Sequence, residues 1–259
     1  MGSTTRIHSL EAAAAFVDRV GIAVAWGKAD LVLPSLWREI GGPDGDWAVR
    51  DEDGKPTGFS PEFDRLWRWK DELPERRLAC AGKHFGSAAL LIAPRLLAAA
   101  YALTGRAGTP DDFREDDPEP LEREVAEAVL ENEPLTGPEI RRLLATTDRK
   151  AVERAVVRLQ RRLVLTNAGA AEQSQGWRAI RQDIFARRWR KSLRSLPAED
   201  EARRDLVLAV LAGADEVSAA DVAAAVGWRR KLAESVLAEI SSSGKIAARD
   251  EEGLRLWSM

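Results

Sequence analysis

Within "RKAVERAVVRLQRRLVLTN", Lys150, Arg154, Arg158 and Arg161 follow one another at intervals of four, four and three residues. At about 100° per residue this spacing lays them along one side of a helix, with Arg149 at its start. The apolar sector of Val152, Ala155, Val156, Leu159 and Leu163 falls on the opposite side. Val157 is the one apolar side chain among the cations, and Glu153 the one acid within the helix. A row of fixed cations makes and breaks no bonds. It can neutralise a polyanion, and the phosphate backbone of a duplex is one whose length a helix can follow. A solvated helix face ordinarily mixes both signs of charge, and here Glu153 is the only acid.

Residues suited to bond-breaking are fewer. "WRWKDELPER" places Asp71 and Glu72 beside Trp67, Trp69 and Lys70, which in principle offers a carboxylate base and a stacking platform for a flipped base. Neighbours on a helix point about 100° apart, so the two carboxylates cannot act as a pair. The expected arrangement puts Leu66 and Trp67 in the core, Trp69 half-buried, and Lys70, Asp71 and Glu72 on a surface helix end before Pro74. His84 in "GKHFG" could meet a phosphate together with Lys83, but no Ser or Cys at a meaningful spacing supports a nucleophile–histidine triad. Gln173 and Gln175 flank Ser174 in a polar turn. The glycines of "GGPDGD" lack the Lys-Ser/Thr of a phosphate loop. A single cysteine, Cys80, excludes an internal disulfide, and with only two histidines, His8 and His84, a Cys/His metal centre is not expected. No cofactor and no metal are anticipated.

The elements that must position these residues can be read from the whole chain. Its 259 residues are 45% hydrophobic and 31% charged, which suits two or three small globular domains. No stretch approaches the ~18 uncharged apolar residues of a membrane span. The longest candidate, "SAALLIAPRLLAAAYALTG", contains Pro94 and Arg95 and reads as a buried strand running into a core helix. The N-terminus has no signal-peptide pattern, so a cytoplasmic, nucleoid-associated location is expected. The net charge of −3 conceals a sharp reversal of sign. Eleven acids against two arginines lie between Asp111 and Glu133, and thirteen bases against three acids between Arg149 and Arg194. Local potential rather than net charge steers a polyanion.

Residues 1–108 predict a mainly helical N-terminal domain, for which a winged-helix-like form is an open alternative. It comprises a first helix, an irregular stretch from Gly41 to Pro61, an aromatic helix, the "SAALLIA" strand and the helix opened by Pro94. Residues 109–119 are polar and proline-bearing and read as a linker. In residues 120–192, two helices are followed by the cationic third helix and two short strands. The same order recurs about 85 residues later, in residues 199–259. Helix, helix, helix and hairpin is the order of a winged helix, whose third helix enters the major groove. The expected fold is therefore mainly α with small β-hairpins, built from tandem winged-helix units. In the second unit Trp228, Arg229, Arg230 and Lys231 open the third helix, but Asp250, Glu251 and Glu252 give its hairpin the wrong sign for phosphates. That unit is expected to pack on its neighbours or to touch only the edge of a duplex.

The chain also resembles the AlkZ/YcaQ-type family of tandem winged-helix proteins, which includes DNA glycosylases acting on alkylated or crosslinked bases. The likeness lies in "AVERAVVRLQRRLVLTNAG" with "GWRAIRQDIFARRW", in "LWRWKDELP", and in "FVDRVGIAVAW" with "LPSLW", the last resembling an AlkZ-related branch. It implies the scaffold, a DNA partner and a place in DNA repair. Glycosylases of the family carry a Gln-aliphatic-Gln or Gln-aliphatic-Asp motif near the N-terminus. Residues 1–60 contain no such triplet, and the one Gln-x-Gln here is Gln173-Ser174-Gln175 in the hairpin turn.

The function expected is binding of double-stranded DNA, without cofactor, through Arg149, Lys150, Arg154, Arg158 and Arg161, flanked by Arg178, Arg187 and Arg188. A monomer is the default expectation. Two alternatives stay open: an AlkZ-type glycosylase, with Asp71, Gln173 or Gln175 as candidate catalytic residues, and a protein-interaction scaffold.

Overall fold

The structure, a computed structural model, describes residues 6–27, 31–86, 88–173, 177–251 and 253–259. It opens with α1 (Leu10–Val20), whose N-cap Ser9 accepts a hydrogen bond from the Ala12 amide. The chain continues through β1 (Ile22–Val24), α2 (Leu36–Gly41), β2 (Ala48–Arg50), β3 (Pro56–Phe59), α3 (Pro61–Glu75), β4 (Cys80–Gly82), β5 (Leu90–Ile92) and α4 (Leu97–Ala102). Strands β1, β5 and β4 form an antiparallel sheet in that order. Strand side chains alternate between faces. Ala23, Ala81, Leu91 and Ala93 therefore meet α1 and α3, whose Phe16, Val17, Leu66 and Leu73 complete one core. Ile22, Val24, Cys80, Leu90 and Ile92 face the other way, into a second core.

That second core is shared with the end of the chain. It contains Leu206, Val210, Val222, Leu237 and Trp257, and also Phe185 and Trp189. These come from α9 (Glu199–Leu211), α10 (Ala219–Val226), α11 (Arg230–Ser242), the hairpin β10 (Ala247–Glu251)–β11 (Leu254–Ser258), and the segment around α8 (Phe185–Arg188). The short β9 (Val217–Ser218) pairs with β11. The last third of the chain thus packs on the first.

Between them lies a smaller core of Val125, Val129, Ile140, Val152, Leu159 and Leu165. It is built from α5 (Pro120–Glu131), β6 (Leu135–Thr136), α6 (Gly137–Leu143), α7 (Arg149–Arg161), β7 (Leu165–Ala171) and β8 (Ala179–Ile184). Strand β8 pairs with both β6 and β7. The sequence of α6 starts with Thr136 and Glu139, which form a reciprocal capping box. Ser218 and Asp221 repeat that device at α10.

Three expectations need correcting. The stretch from Gly41 to Pro61, read as irregular, contains the β2–β3 hairpin. Its residues are mostly exposed, so neither face carries the apolar alternation that would mark a strand. Residues 109–119 do not form a solvated tether. Phe113 is buried in the middle core, and buried Asp112 accepts a hydrogen bond from the Tyr101 hydroxyl (2.8 Å) and faces Arg106 (3.5 Å). In α3, Trp69 is buried and Trp67 only partly so, the reverse of the expected assignment. Leu66, Trp69 and Leu73 share one helix face at intervals of three and four, and Trp67 lies about 100° away from Leu66.

No helix among the described residues is long and apolar enough to cross a membrane.

Arg188 joins the units covalently distant from it. Buried at the end of α8, it donates to the carbonyls of Pro74 and Glu75 at the end of α3 and lies 3.7 Å from the Asp183 carboxylate. Replacing it with Ala leaves buried acceptors unmet, at a cost of about 3 kcal/mol. The expected drop in Tm is of order 6–12 °C for a chain of this size. Calorimetry of Arg188→Ala beside Lys150→Ala checks this, the latter being expected to melt within ~1–2 °C of wild type because exposed charges contribute little.

Candidate nucleic-acid interface

Helix α7 starts at Asp148, whose carboxylate accepts from the Ala151 amide (2.8 Å). Val152, Ala155 and Leu159 turn inward as the spacing demands. Lys150, Glu153, Arg154, Val157, Arg158 and Arg161 line one shallow outward groove of about 460 Å³. The cation row is therefore contiguous, but its members differ in how free their charge is. Lys150 and Arg154 are exposed and have no ion-pair partner among the described residues. Arg149 pairs with Glu153 at 2.6 Å, both exposed. Arg161 donates through Nε to the Gly86 carbonyl (3.1 Å). Arg158 and Arg162 both clasp Glu122 of α5, a carboxylate only 3% exposed. Arg158 therefore serves first as a counter-ion to a buried acid.

The three flanking arginines are also engaged within the protein. Arg178 lies 3.8 Å from Asp71 and 2.9 Å from Glu172. Arg187 donates to the carbonyls of Val129, Leu130 and Asn132, closing the C-terminus of α5, and pairs with Asp183 (2.8 Å). Arg188 is the buried tie already described. Helix-end carbonyls and a buried carboxylate thus hold the guanidiniums of Arg187 and Arg188, the two residues expected to flank a DNA contact.

Beside α7 a deeper cleft of about 770 Å³ separates the helix from the β7–β8 hairpin and from the loop after β4. Lys83, Arg141, Arg149 and Arg178 supply cations to its lining, and Trp177 an exposed aromatic ring. On its floor three amides meet: Gln160 Nε2 donates to Asn167 Oδ1 (2.8 Å) and Gln182 Oε1 (2.7 Å). Asn167 and Gln182 are cross-strand partners, and a bulge marked by Gly169 at φ +100° follows at once. Bulges re-aim neighbouring side chains, and only glycine takes such a φ without strain. Sequence reasoning missed this trio. Its signal was present: Gln160 breaks the apolar edge of α7, and two amides occupy facing positions of one hairpin.

A model of the AlkZ-related family matches residues 7–226. The chain belongs to that family. Its fold also resembles that of the DNA glycosylase AlkZ of Streptomyces sahachiroi, with a TM-score of 0.51 at 16% identity; the match covers 95% of this chain and 64% of that one. The AlkZ-related chain thus spans under two thirds of that enzyme's length. A search of curated proteins gave no match.

Of the catalytic candidates, Asp71 and Gln173 fall within the described residues. Asp71 is not on a surface helix end: it is 2% exposed, pairing with Lys70 at 2.7 Å and facing Arg178. Lys70 also sits 4.2 Å from the Trp67 ring centroid. Glu72 turns elsewhere, toward Arg76. Gln173 is exposed at the end of β7, and Gln175 lies outside the described residues. His84 cannot meet a phosphate, because it is fully buried against Cys80 (3.4 Å) and donates from Nδ1 to the Gln160 carbonyl (2.9 Å). Gly82 makes room for it, since a Cβ there would come within 2.6 Å of the imidazole Nε2. The Cys80–His84 contact resembles a nucleophile–base pair, but burial pushes the thiol up to about 12 and the imidazole down to about 4. Both groups are neutral at pH 7, and no thiolate is formed. Among the described residues, no group of three or more His, Cys, Asp or Glu side chains could hold a metal ion.

The depressed His84 value has a measurable consequence. Between pH 6.5 and 4 the unfolded chain binds a proton at this site and the native one does not. Stability contributed by neutral His84 is complete above pH 6.5 and falls through that window, by roughly 3 kcal/mol in all. Urea unfolding from pH 7 to 4 is expected to show a shallower pH dependence in His84→Asn than in wild type. Equal slopes would mean that His84 is solvated.

Proposed function

We propose that this AlkZ-related protein binds double-stranded DNA and acts in DNA repair, with α7 as the groove-reading helix of a tandem winged-helix scaffold. The two units are residues 120–192 and 199–259, following the N-terminal domain of residues 1–108. Support for the scaffold comes from the order of three helices and a hairpin, found twice. In each copy a short strand before the second helix pairs with the last hairpin strand, and a capping box opens that helix. The observation carrying the DNA reading is the outward row on α7, where Lys150 and Arg154 have no ion-pair partner among the described residues while nearly every neighbouring arginine has one. Cations left unpaired on a helix face gain most from phosphates, which release condensed counterions. The fold likeness to a DNA glycosylase fits such a partner. The second unit is less suited to the duplex: Asp250 and Glu251 lie exposed on its hairpin.

With Arg149, Lys150, Arg154 and Arg161 on phosphates, affinity for duplex DNA is expected to fall about a hundredfold between 50 and 200 mM salt. The double variant Lys150→Ala/Arg154→Ala should bind more weakly and lose only about tenfold over the same range. Anisotropy titrations at several salt concentrations measure both. A salt-independent affinity would instead favour a protein-interaction scaffold.

The alternative of an AlkZ-type glycosylase is separated by a second assay. Without a glutamine pair in residues 1–60, and with Asp71 buried in ion pairs, the purified protein is expected to release 7-methylguanine from alkylated DNA no faster than the spontaneous rate. Alkali-labile sites above background, abolished in Asp71→Asn or Gln175→Ala, would establish the enzyme instead.

A further inference from the structure

The cleft beside α7 carries a more specific message than the cation row. Its floor amides are oriented by a chain of bonds anchored on the backbone. The Lys83 N–H, which can only donate, points at Gln160 Oε1 (2.7 Å), so the other end of that amide is its NH2. This NH2 donates to Asn167 Oδ1 and Gln182 Oε1, fixing both of their carbonyl ends. Gln182 Nε2 then donates to Asn167 Oδ1 at 3.2 Å. Each carbonyl oxygen of the trio already accepts, once at Gln160 and Gln182 and twice at Asn167. The Asn167 NH2 and the second N–H of Gln182 have no partner among the described residues, and both residues line the cleft. The polar hydrogens the trio has left to offer a ligand are these N–H donors, whereas each of its oxygens is already engaged.

Trp177 lines the same cleft and is 61% exposed, with its ring 4.9 Å from that of Trp67 and 6.1 Å from that of Phe59. The cations of Lys83, Arg141 and Arg149 surround the opening. A flat π-face, a row of hydrogen-bond donors and a cationic rim suit a planar base on a phosphate backbone. At about 770 Å³ the cleft is within the size range of pockets that hold small planar ligands.

We propose that this cleft takes a single unpaired nucleobase from the bound strand, stacks it near Trp177, and favours keto bases over amino bases through Asn167 and Gln182. The inference rests on the DNA-binding reading of α7 for its partner, but the residues that read the base, Asn167, Gln182 and Trp177, are not those of the cation row. The contrast lies at one position of the base: guanine O6 and thymine O4 accept there, whereas adenine N6 and cytosine N4 are amino groups that would face donors with donors. Gln160 is a positioning residue, since it orients the other two amides without having a free donor of its own.

The test is anisotropy titration of the full chain with a fully paired duplex and with duplexes carrying one unpaired guanine, thymine, adenine or cytosine. Unpaired guanine and thymine are expected to bind about tenfold tighter than adenine and cytosine, the equivalent of one well-made hydrogen-bonded contact. In Asn167→Asp the carboxylate still accepts from Gln160 and Gln182 but offers no donor, so the preference should collapse or reverse toward amino bases. Equal affinity for all four bases, or a keto preference unchanged in Asn167→Asp, overturns the proposal. If that variant fails to fold by its melting curve, Trp177→Ala decides, because its side chain is exposed. It should erase the advantage of an unpaired base over the paired duplex, and an undiminished advantage overturns the stacking site. Loss of paired-duplex binding alone would count against α7, whereas paired binding without any preference among unpaired bases counts against the cleft.

Discussion

Everything in this molecule that faces DNA in the proposed reading is held by a buried polar seam between the loop after β4 and the last turns of α7. The Gln160 side chain receives the Lys83 amide, its carbonyl receives His84, and Thr166 at the start of β7 donates to the Ala81 carbonyl (3.1 Å). Arg188 makes the equivalent tie to the end of α3. Buried hydrogen bonds of this kind are worth little net stability each, but an unmade one is costly, so they select a single docking geometry. The apolar cores alone would tolerate α7 at several angles to the N-terminal sheet. The seam does not, and it fixes the floor of the cleft together with the direction of the cation row.

Charge distribution follows from the same arrangement. The acidic run after Asp111 and the basic run after Arg149 meet across α5 and α7 instead of forming two separate surfaces. Glu122 neutralises Arg158 and Arg162, and Glu127 holds Arg114 on the opposite side. Of the thirteen bases between Arg149 and Arg194, many are structural counter-ions. A helical wheel shows on which side of α7 a charge lies, but not whether a neighbouring element has already claimed it. For that reason Lys150 and Arg154 were legible from spacing, whereas the internal commitments of Arg158, Arg187 and Arg188 were not. The same limit hid the amide trio, whose members lie on one helix and two strands and meet only after the hairpin pairs.

The helical elements were the most legible part of the fold because their caps are local: Ser9, Thr136, Asp148 and Ser218 each mark a start within a few residues of the helix they open. The Leu90–Ile92 strand and the Pro94 turn into α4 also followed from the apolar run and its proline. The β2–β3 hairpin did not, since an exposed two-stranded ribbon needs no apolar face. Nor did composition show that the polar residues 109–119 carry Phe113 into a core, because one buried aromatic in a charged stretch has no periodicity to reveal it.

The two-sided β1–β5–β4 sheet has a consequence for how the chain is made. One of its faces is covered by α1 and α3, which are translated alongside it, but the other waits for α9, α10 and α11. At ordinary elongation rates the interval between Ile92 and the end of α11 is on the order of ten to thirty seconds. Throughout that time Ile22, Val24, Leu90 and Ile92 belong to a half-dressed sheet leaving the ribosome. The nascent chain is therefore a natural client for a holding chaperone, and any pause in translation between the middle and last units prolongs its exposure.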